Sequence, residues 1–387
     1  MMQSIVQYCL AGGDPRRAEV RSRCGTLAGK IGIGANLLLF AAKLFSGLFT
    51  HSVAKVADAV NNLSDAAGSL VTLFGFRLAG QAADADHPFG HGRMEYVSGL
   101  VVSMAILLMG FELLKSSVSA LFSPAETLFS IPVCAILLGT IAIKLLMWRF
   151  NLELGRAISS AAMEATAADS LSDCAATAAV LLSSLLGQFT TLPVDAVAGI
   201  LVSGFIFKAG WESLKATLDP LLGRPMDPEL AREIDELVVS HEYILGIHDL
   251  VYHDYGPGRA MMSFHAEVPA DGDMLIIHDI IDHIERELKA KHHIEAVIHM
   301  DPIVMDESTL ALRDEIEALA KSIDPSLSIH DFRITAGPLH TNLLFDLLIP
   351  YECPLPTDVV RSCLTQEIKS LSDRYYPVFH IDRNFVE

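Results

Sequence analysis

Charge is scarce in this sequence. Only 19% of its 387 residues are Asp, Glu, Lys or Arg while 51% are hydrophobic, a ratio that excludes a fully soluble protein. Basic residues are scarcer still, with 28 Lys and Arg facing 47 Asp and Glu. The net charge of −19 rests mainly on the C-terminal part, which excludes nucleic acid as a partner and suits a surface that attracts cations. Six cysteines are scattered without a CxxC pair, so neither a disulfide framework nor a thiolate zinc cluster is expected, and a reduced compartment fits. No short apolar core with a small-residue cleavage site opens the chain. Residues 1–27, with Arg16, Arg17, Arg21 and Arg23, are expected to form a cytosolic arm that skirts the membrane. The apolar runs also lack a helical His-Glu-x-x-His or a serine–histidine arrangement, which argues against an intramembrane metalloenzyme that activates water.

Long hydrophobic runs, by contrast, are plentiful. Six membrane helices are predicted at about 28–50, 52–79, 95–120, 128–149, 160–186 and 193–216, each ~17–25 residues as bilayer thickness requires. Residues 28–218 thus form a six-helix transmembrane domain, and Asp219 to Glu387 reads as soluble α/β sequence. The loops after the third and fifth helices are nearly free of basic residues. Arg93, Arg149 and Arg156, the N-terminal arm and the segment after helix six carry them, so both termini of this integral, multi-pass protein of the inner or plasma membrane are expected in the cytosol.

Polar residues inside these runs mark the chemistry. Carboxylates at bilayer depth are costly and mark ion paths or proton relays. Helix two carries Ala57-Asp58-Ala59-Val60-Asn61-Asn62-Leu63-Ser64-Asp65 and helix five Ala168-Asp169-Ser170-Leu171-Ser172-Asp173. Asn61 with Asp65, and Asp169 with Asp173, stand four apart and so share a helix face in each case. Two such faces turned together make a cage for one cation. Asp58 shares the Asn61 face and is a candidate path residue, or else a structural residue at the helix start. Lys43 and Lys55 are expected to snorkel to an interface. Between helices two and three, Asp84, His87 and His91 have chelating spacing for a second metal, or form a turn with two solvent-facing histidines.

The run His51-Ser52-Val53-Ala54, Ala57-Asp58-Ala59 and Leu63-Ser64-Asp65, followed by Asp84, His87-Pro88-Phe89-Gly90-His91-Gly92-Arg93 and Glu95, resembles the cation diffusion facilitator family of metal transporters. The likeness extends through the helix-five aspartates to about Val304. It implies a six-helix transmembrane domain, a cytosolic ferredoxin-like, metallochaperone-like α/β domain, a homodimer held through those domains, and export of a divalent cation in exchange for protons. It further implies cytosolic metal binding at His248, His265, His278, His299 and Asp301. Arg93 is expected to pair with an acid at the entry to the soluble domain, with only Asp219 or Asp227 in place to serve.

The soluble part reads as helix 228–241, strand 244–254, strand 259–268, helix 273–291 and strand 294–301, the alternation of Met261 to Val268 setting the second strand. The order α-β-β-α-β packs helices on one face of a small sheet. After Met305 the sequence repeats itself. Gly246-Ile247-His248-Asp249 returns as Ser328-Ile329-His330-Asp331, Gly256-Pro257 as Gly337-Pro338, and Ile298-His299-Met300-Asp301 as Phe379-His380-Ile381-Asp382. Residues 219–305 and 306–387 are therefore expected to be tandem copies of one domain. His330, Asp346, His380 and Asp382 fall at the ligand positions of the second copy, with Val359 in place of His278. They make a candidate second cytosolic metal site, or a copy kept for packing.

Asn61 and three carboxylates give the cage only oxygen donors unless Cys174 turns inward. Zinc prefers imidazole and thiolate, whereas manganese(II) accepts all-oxygen shells, and in family members that move zinc a histidine commonly stands where Asn61 stands. The expected cargo is Mn(II), then Fe(II), then Zn(II). Crowded carboxylates take up protons when the cage is empty and release them when metal enters, which couples the two ions. No prosthetic group is expected; metal ions enter as substrate and as regulatory ligands. A membrane-anchored metal sensor is the reading of another class, and it leaves the buried Asn61, Asp65, Asp169 and Asp173 without a purpose.

Overall fold

The computed structural model describes residues 6–7, 9–10, 13–15, 17–49, 53–122, 131–186, 194–304, 306–337 and 340–383. The chain divides into two compact units, Met1–Arg224 with Asp254–Arg259, and Pro225–His253 with Ala260–Glu387.

The first unit is helical. Its long helices are α1 (Ala18–Phe49), α2 (Val53–Ala79), α3 (Met94–Phe122), α4 (Ile131–Ala157), α5 (Ala161–Leu186) and α6 (Val194–Leu222). Among the described residues, five of them, all but α2, are long and apolar enough to cross a membrane. α2 is diluted by Lys55, Asp58, Asp65 and Arg77. Small residues bring the helices together, as they do in lipid. A Cβ on Gly99 of α3 would stand 2.8 Å from the Ala162 Cα of α5, and one on Gly29 of α1 would stand 3.0 Å from the Leu73 Cα of α2. The helix ends run past the apolar runs. α1 begins at Ala18, ten residues before hydropathy places it, because its charged first turns find partners. Arg21 is buried, with Nη2 2.6 Å from Glu95 Oε1, and Ser160 donates to the same carboxylate at 2.5 Å. The hairpin expected at Thr50-His51, and the loops expected at Ser123–Thr127 and Gly187–Pro193, lie outside the described residues.

The second unit holds two lobes. The first contains α7 (Pro228–Val239), β1 (Gly246–Asp254), β2 (Ala260–Pro269), α8 (Met274–His292) and β3 (Ile294–Ile303); the second contains α9 (Glu307–Ile323), β4 (Ser328–Ala336), β5 (Thr341–Leu348), α10 (Thr357–Leu371) and β6 (Tyr375–Asp382). Each lobe has one three-stranded sheet, in the order β1-β2-β3 and β4-β5-β6. β2 pairs parallel with β3, and β5 parallel with β6, while β4 pairs antiparallel with β5. A helix crosses over between the parallel strands in both lobes, as parallel pairing requires. Each lobe closes its own core. Phe264, Ile277, Ile284 and Leu288 lie at the centre of the first, and Leu343, Phe345, Leu364 and Ile368 at the centre of the second. Asp227 and Asp273 accept from the backbone N–H two residues on and so start α7 and α8, and Asp306 accepts from those of Ser308 and Thr309 to start α9.

Candidate functional site

Inside the helical unit a cavity of about 590 Å³ is lined by Asn61, Asn62 and Asp65 of α2, Glu112 of α3, Lys144 of α4 and Asp173 of α5, among others. Helical spacing on α2 and α5 turns Asp65 and Asp173 towards each other, and the ammonium group of Lys144 holds both. Its Nζ is 2.8 Å from Asp65 Oδ2 and makes a still closer ion pair with Asp173. All three side chains are largely withdrawn from the surface, Lys144 most completely. Asp169 stands one turn before Asp173, within electrostatic reach of Asp65, Asp173 and Lys144, and does not line the cavity. Asn61 lines it. Asp58 belongs to α2, but its side chain lies outside the described residues. Lys43, expected at an interface, is instead buried and lines the cavity; Lys55 has its side chain outside the described residues.

Sequence reasoning missed Lys144. Its signal was present, since an isolated lysine within an apolar run is a functional candidate by default. The expected span ended at 149, where a lysine at 144 reads as snorkelling; the helix runs on to Ala157, which makes Lys144 its midpoint.

Between α2 and α3, Asp84, His87 and His91 converge. Asp84 Oδ1 is 3.4 Å from His87 Nδ1, Asp84 Oδ2 is 3.4 Å from His91 Nε2, and the imidazole centroids are 4.5 Å apart. The backbone N–H of His87 donates to Asp84 Oδ1 and holds the carboxyl below its usual pKa. His91 Nδ1 bonds the Ala82 carbonyl at 3.2 Å, which leaves Nε2 for a ligand. Arg93 departs from expectation. Its Nε and Nη2 both donate to the Asp254 carbonyl, at 2.9 and 2.7 Å, while Asp227 is committed to capping α7.

In the second unit, adjacent strands bring residues together by register. His265 is paired with His299 and Glu267 with Asp301 across β2 and β3. Asp301 gathers three histidines, at 3.1 Å from His248 Nε2, 2.8 Å from His265 Nδ1 and 3.2 Å from His299 Nε2. Glu267 adds a carboxylate 3.6 Å from His248 Nδ1. His278 is exposed on α8 and is not brought into the cluster. In the second lobe Asp346, His380 and Asp382 come together, with His380 Nδ1 2.9 Å from Asp382 Oδ1. His330 pairs with Asp346 across β4 and β5, but its ring lies 4.4 Å from that of His248. Burial, and then the charge of His248, hold the His330 imidazole below its usual pKa, in the neutral form that ligates metal. A further trio absent from the sequence reading, His241, His283 and Glu287, meets where the end of α7 approaches α8.

Residues 30–222 match the model of the cation efflux transmembrane domain, and residues 226–303 match that of the cation efflux protein cytoplasmic domain. The manganese efflux system protein MneS of Bacillus subtilis is 29% identical over 276 residues, 70% of this chain and 94% of that protein. MneP of the same organism is 28% identical over 297 residues, 74% of this chain and 98% of that protein. The cation-efflux pump FieF of Shewanella oneidensis is 28% identical over 292 residues, covering 73% and 96%. With apolar helices enclosing paired carboxylates and an α/β unit following them, the chain belongs to the cation diffusion facilitator family of cation efflux transporters.

Proposed function

We propose that this protein exports Mn(II) from the cytosol in exchange for protons, through a site made by Asn61, Asp65, Asp169 and Asp173. The observation that carries this reading is the pair Asp65 and Asp173, drawn from two helices onto one cation, Lys144, at the wall of the cavity. A pocket that holds an ammonium between two carboxylates has the charge and the oxygen donors for a metal dication. The donors are hard, which favours manganese(II) over zinc(II), with iron(II) between them. Relatives described as manganese efflux proteins support the same ordering.

In this reading all six long helices, α2 included, span the membrane, with a transport domain over 28–218 and both termini in the cytosol. Residues 219–305 and 306–387 are tandem copies of one ferredoxin-like domain, which agrees with their common order of elements and their separate cores. Two chains pair through these domains. Metal entering from the cytosol displaces the Lys144 ammonium from Asp65 and Asp173. Inward and outward openings alternate, and protons arriving from outside restore the empty site. The loop trio Asp84, His87 and His91, and the clusters around Asp301 and Asp346, bind metal as regulatory ligands.

The test is metal flux into sealed vesicles containing the purified protein. Manganese flux is expected to exceed zinc flux in the wild type, to shift towards zinc in Asn61→His, and to vanish in Asp65→Ala and Asp173→Ala. Wild-type rates in either aspartate variant would remove the site assignment. Dominant zinc flux in the wild type would remove the choice of ion alone.

A further inference from the structure

The two lobes of the α/β unit meet where β3 and β1 of the first approach β4 of the second. His248 of β1 and His330 of β4 hold corresponding positions, and their rings face each other with centroids 4.4 Å apart and planes inclined by 30°. Each is followed by an aspartate in the left-handed region, Asp249 at φ 52° and Asp331 at φ 51°. That conformation is uncommon for a residue in a strand, although aspartate tolerates it better than most. It breaks the alternation of side chains, and in β4 the pairing with β5 slips between His330 and Arg333, a bulge that re-aims what it carries. Asp249 reaches across to the other lobe. Asp249 Oδ1 is 3.8 Å from His330 Nε2 in the other lobe and acts electrostatically on Asp346, while Asp331 lies within electrostatic reach of Asp301. The first lobe thus lends a carboxylate to the second, whereas Asp331 stays paired with Arg333 of its own strand.

Two buried nitrogens at this junction make no hydrogen bond, His330 Nδ1 and His248 Nδ1, the latter facing the Glu267 carboxylate at 3.6 Å, and the His248 side chain is only 8% exposed. Buried polar atoms are rarely left unpaired, so such atoms call for a ligand. Ligand atoms of His248, Asp249 and His330 lie within 4.8 Å of one another. Two imidazoles and one carboxylate are the donors of a borderline dication of the zinc type, a different chemistry from the oxygen-only cage in the helical unit.

We propose that His248, Asp249 and His330 form a metal site shared between the two lobes, adjoining the clusters around Asp301 and Asp346 and sharing His248 with the first of them, so that a zinc-type dication clamps one lobe to the other within a single chain. The site does not depend on the transport reading, and its test does not measure flux.

The experiment is hydrogen–deuterium exchange on the full-length protein in detergent, with Zn(II) or with chelator. In the wild type, zinc at a hundredfold excess over its Kd is expected to slow exchange in β4 by about a hundredfold where opening limits exchange. His248→Ala, a change in the first lobe, is expected to abolish zinc protection of β4 in the second lobe. Protection of β6, which carries the second lobe's own His380 and Asp382, is expected to persist. Zinc protection of β4 that survives in His248→Ala overturns the proposal, as does simultaneous loss from β4 and β6. If exchange of the metal-free His248→Ala protein departs from wild type, His248→Gln takes its place under the same criteria. Asp249→Asn, which removes charge while keeping shape, is expected to weaken zinc protection of β4 at least tenfold in zinc concentration; an unchanged midpoint also overturns the proposal.

Discussion

Lys144 sets the electrostatics of the cavity. In the proposed function the Lys144 ammonium and the metal compete for the same two carboxylates, so removing the ammonium frees the donors. Lys144→Met is expected to lower the manganese concentration for half-maximal flux by about tenfold, equivalent to 1.4 kcal/mol. It is also expected to slow turnover, because metal then leaves two uncompensated carboxylates behind. A concentration series in vesicles measures both, and an unchanged half-maximal concentration would mean that Lys144 does not compete with cargo. At this scale the sequence was partly legible. Asp65 and Asp173 announced themselves as carboxylates amid apolar neighbours, whereas Lys144 was passed over, and the end of its helix was placed at 149 rather than Ala157. Asp249 carried no signal at all, since its reach towards His330 depends on a left-handed backbone and on a partner 81 positions along the chain from its own residue number.

The helices and strands were legible to within a few residues where apolar periodicity governs them, and less so where charge continues a helix. α1 and α4 both extend beyond their apolar runs, to Ala18 and to Ala157, because hydropathy falls where charged residues gather while backbone hydrogen bonding does not. The first turns of α1 are held by the buried pair of Arg21 and Glu95, which ties α1 to α3 and, through Ser160, to the start of α5. Breaking a buried pair by removing one partner leaves an unpaired charge. Arg21→Met is therefore expected to destabilise the helical unit by about 3–5 kcal/mol. Adding Glu95→Gln should recover part of that loss. Thermal unfolding in detergent reads both variants, and equal midpoints for the single and double variants would show that the pair is not what holds these helices. Glycines act at the same scale. A Cβ on Gly92 would stand 2.7 Å from the Tyr255 carbonyl oxygen, so Gly92→Ala is expected to loosen the Arg93 bonds to Asp254 and to raise proteolytic cleavage in the segment before α3. Cleavage at the wild-type rate would mean that the turn yields without cost.

For the whole molecule, the division into an apolar helical part and an acidic α/β part followed from composition, and the family followed from the segment His87 to Arg93 with Leu63-Ser64-Asp65. The meeting of the two lobes did not follow, because the sequence signals the elements within each lobe and leaves open how the lobes face each other. The first lobe closes its core without residues from the second. A chain ending at Met305 is accordingly expected to retain manganese flux in vesicles while losing zinc-dependent protection of β1 that depends on His330. Loss of flux in a protein that still inserts would make the second lobe part of the transport machinery. Only three residues separate β3 from α9. A tether this short keeps the halves of the His248–His330 junction at an effective concentration on the order of millimolar, however dilute the protein itself. Closure is then a first-order event with a threshold set by free metal, so a cell holding few copies of the transporter and a cell holding many would register the same metal level.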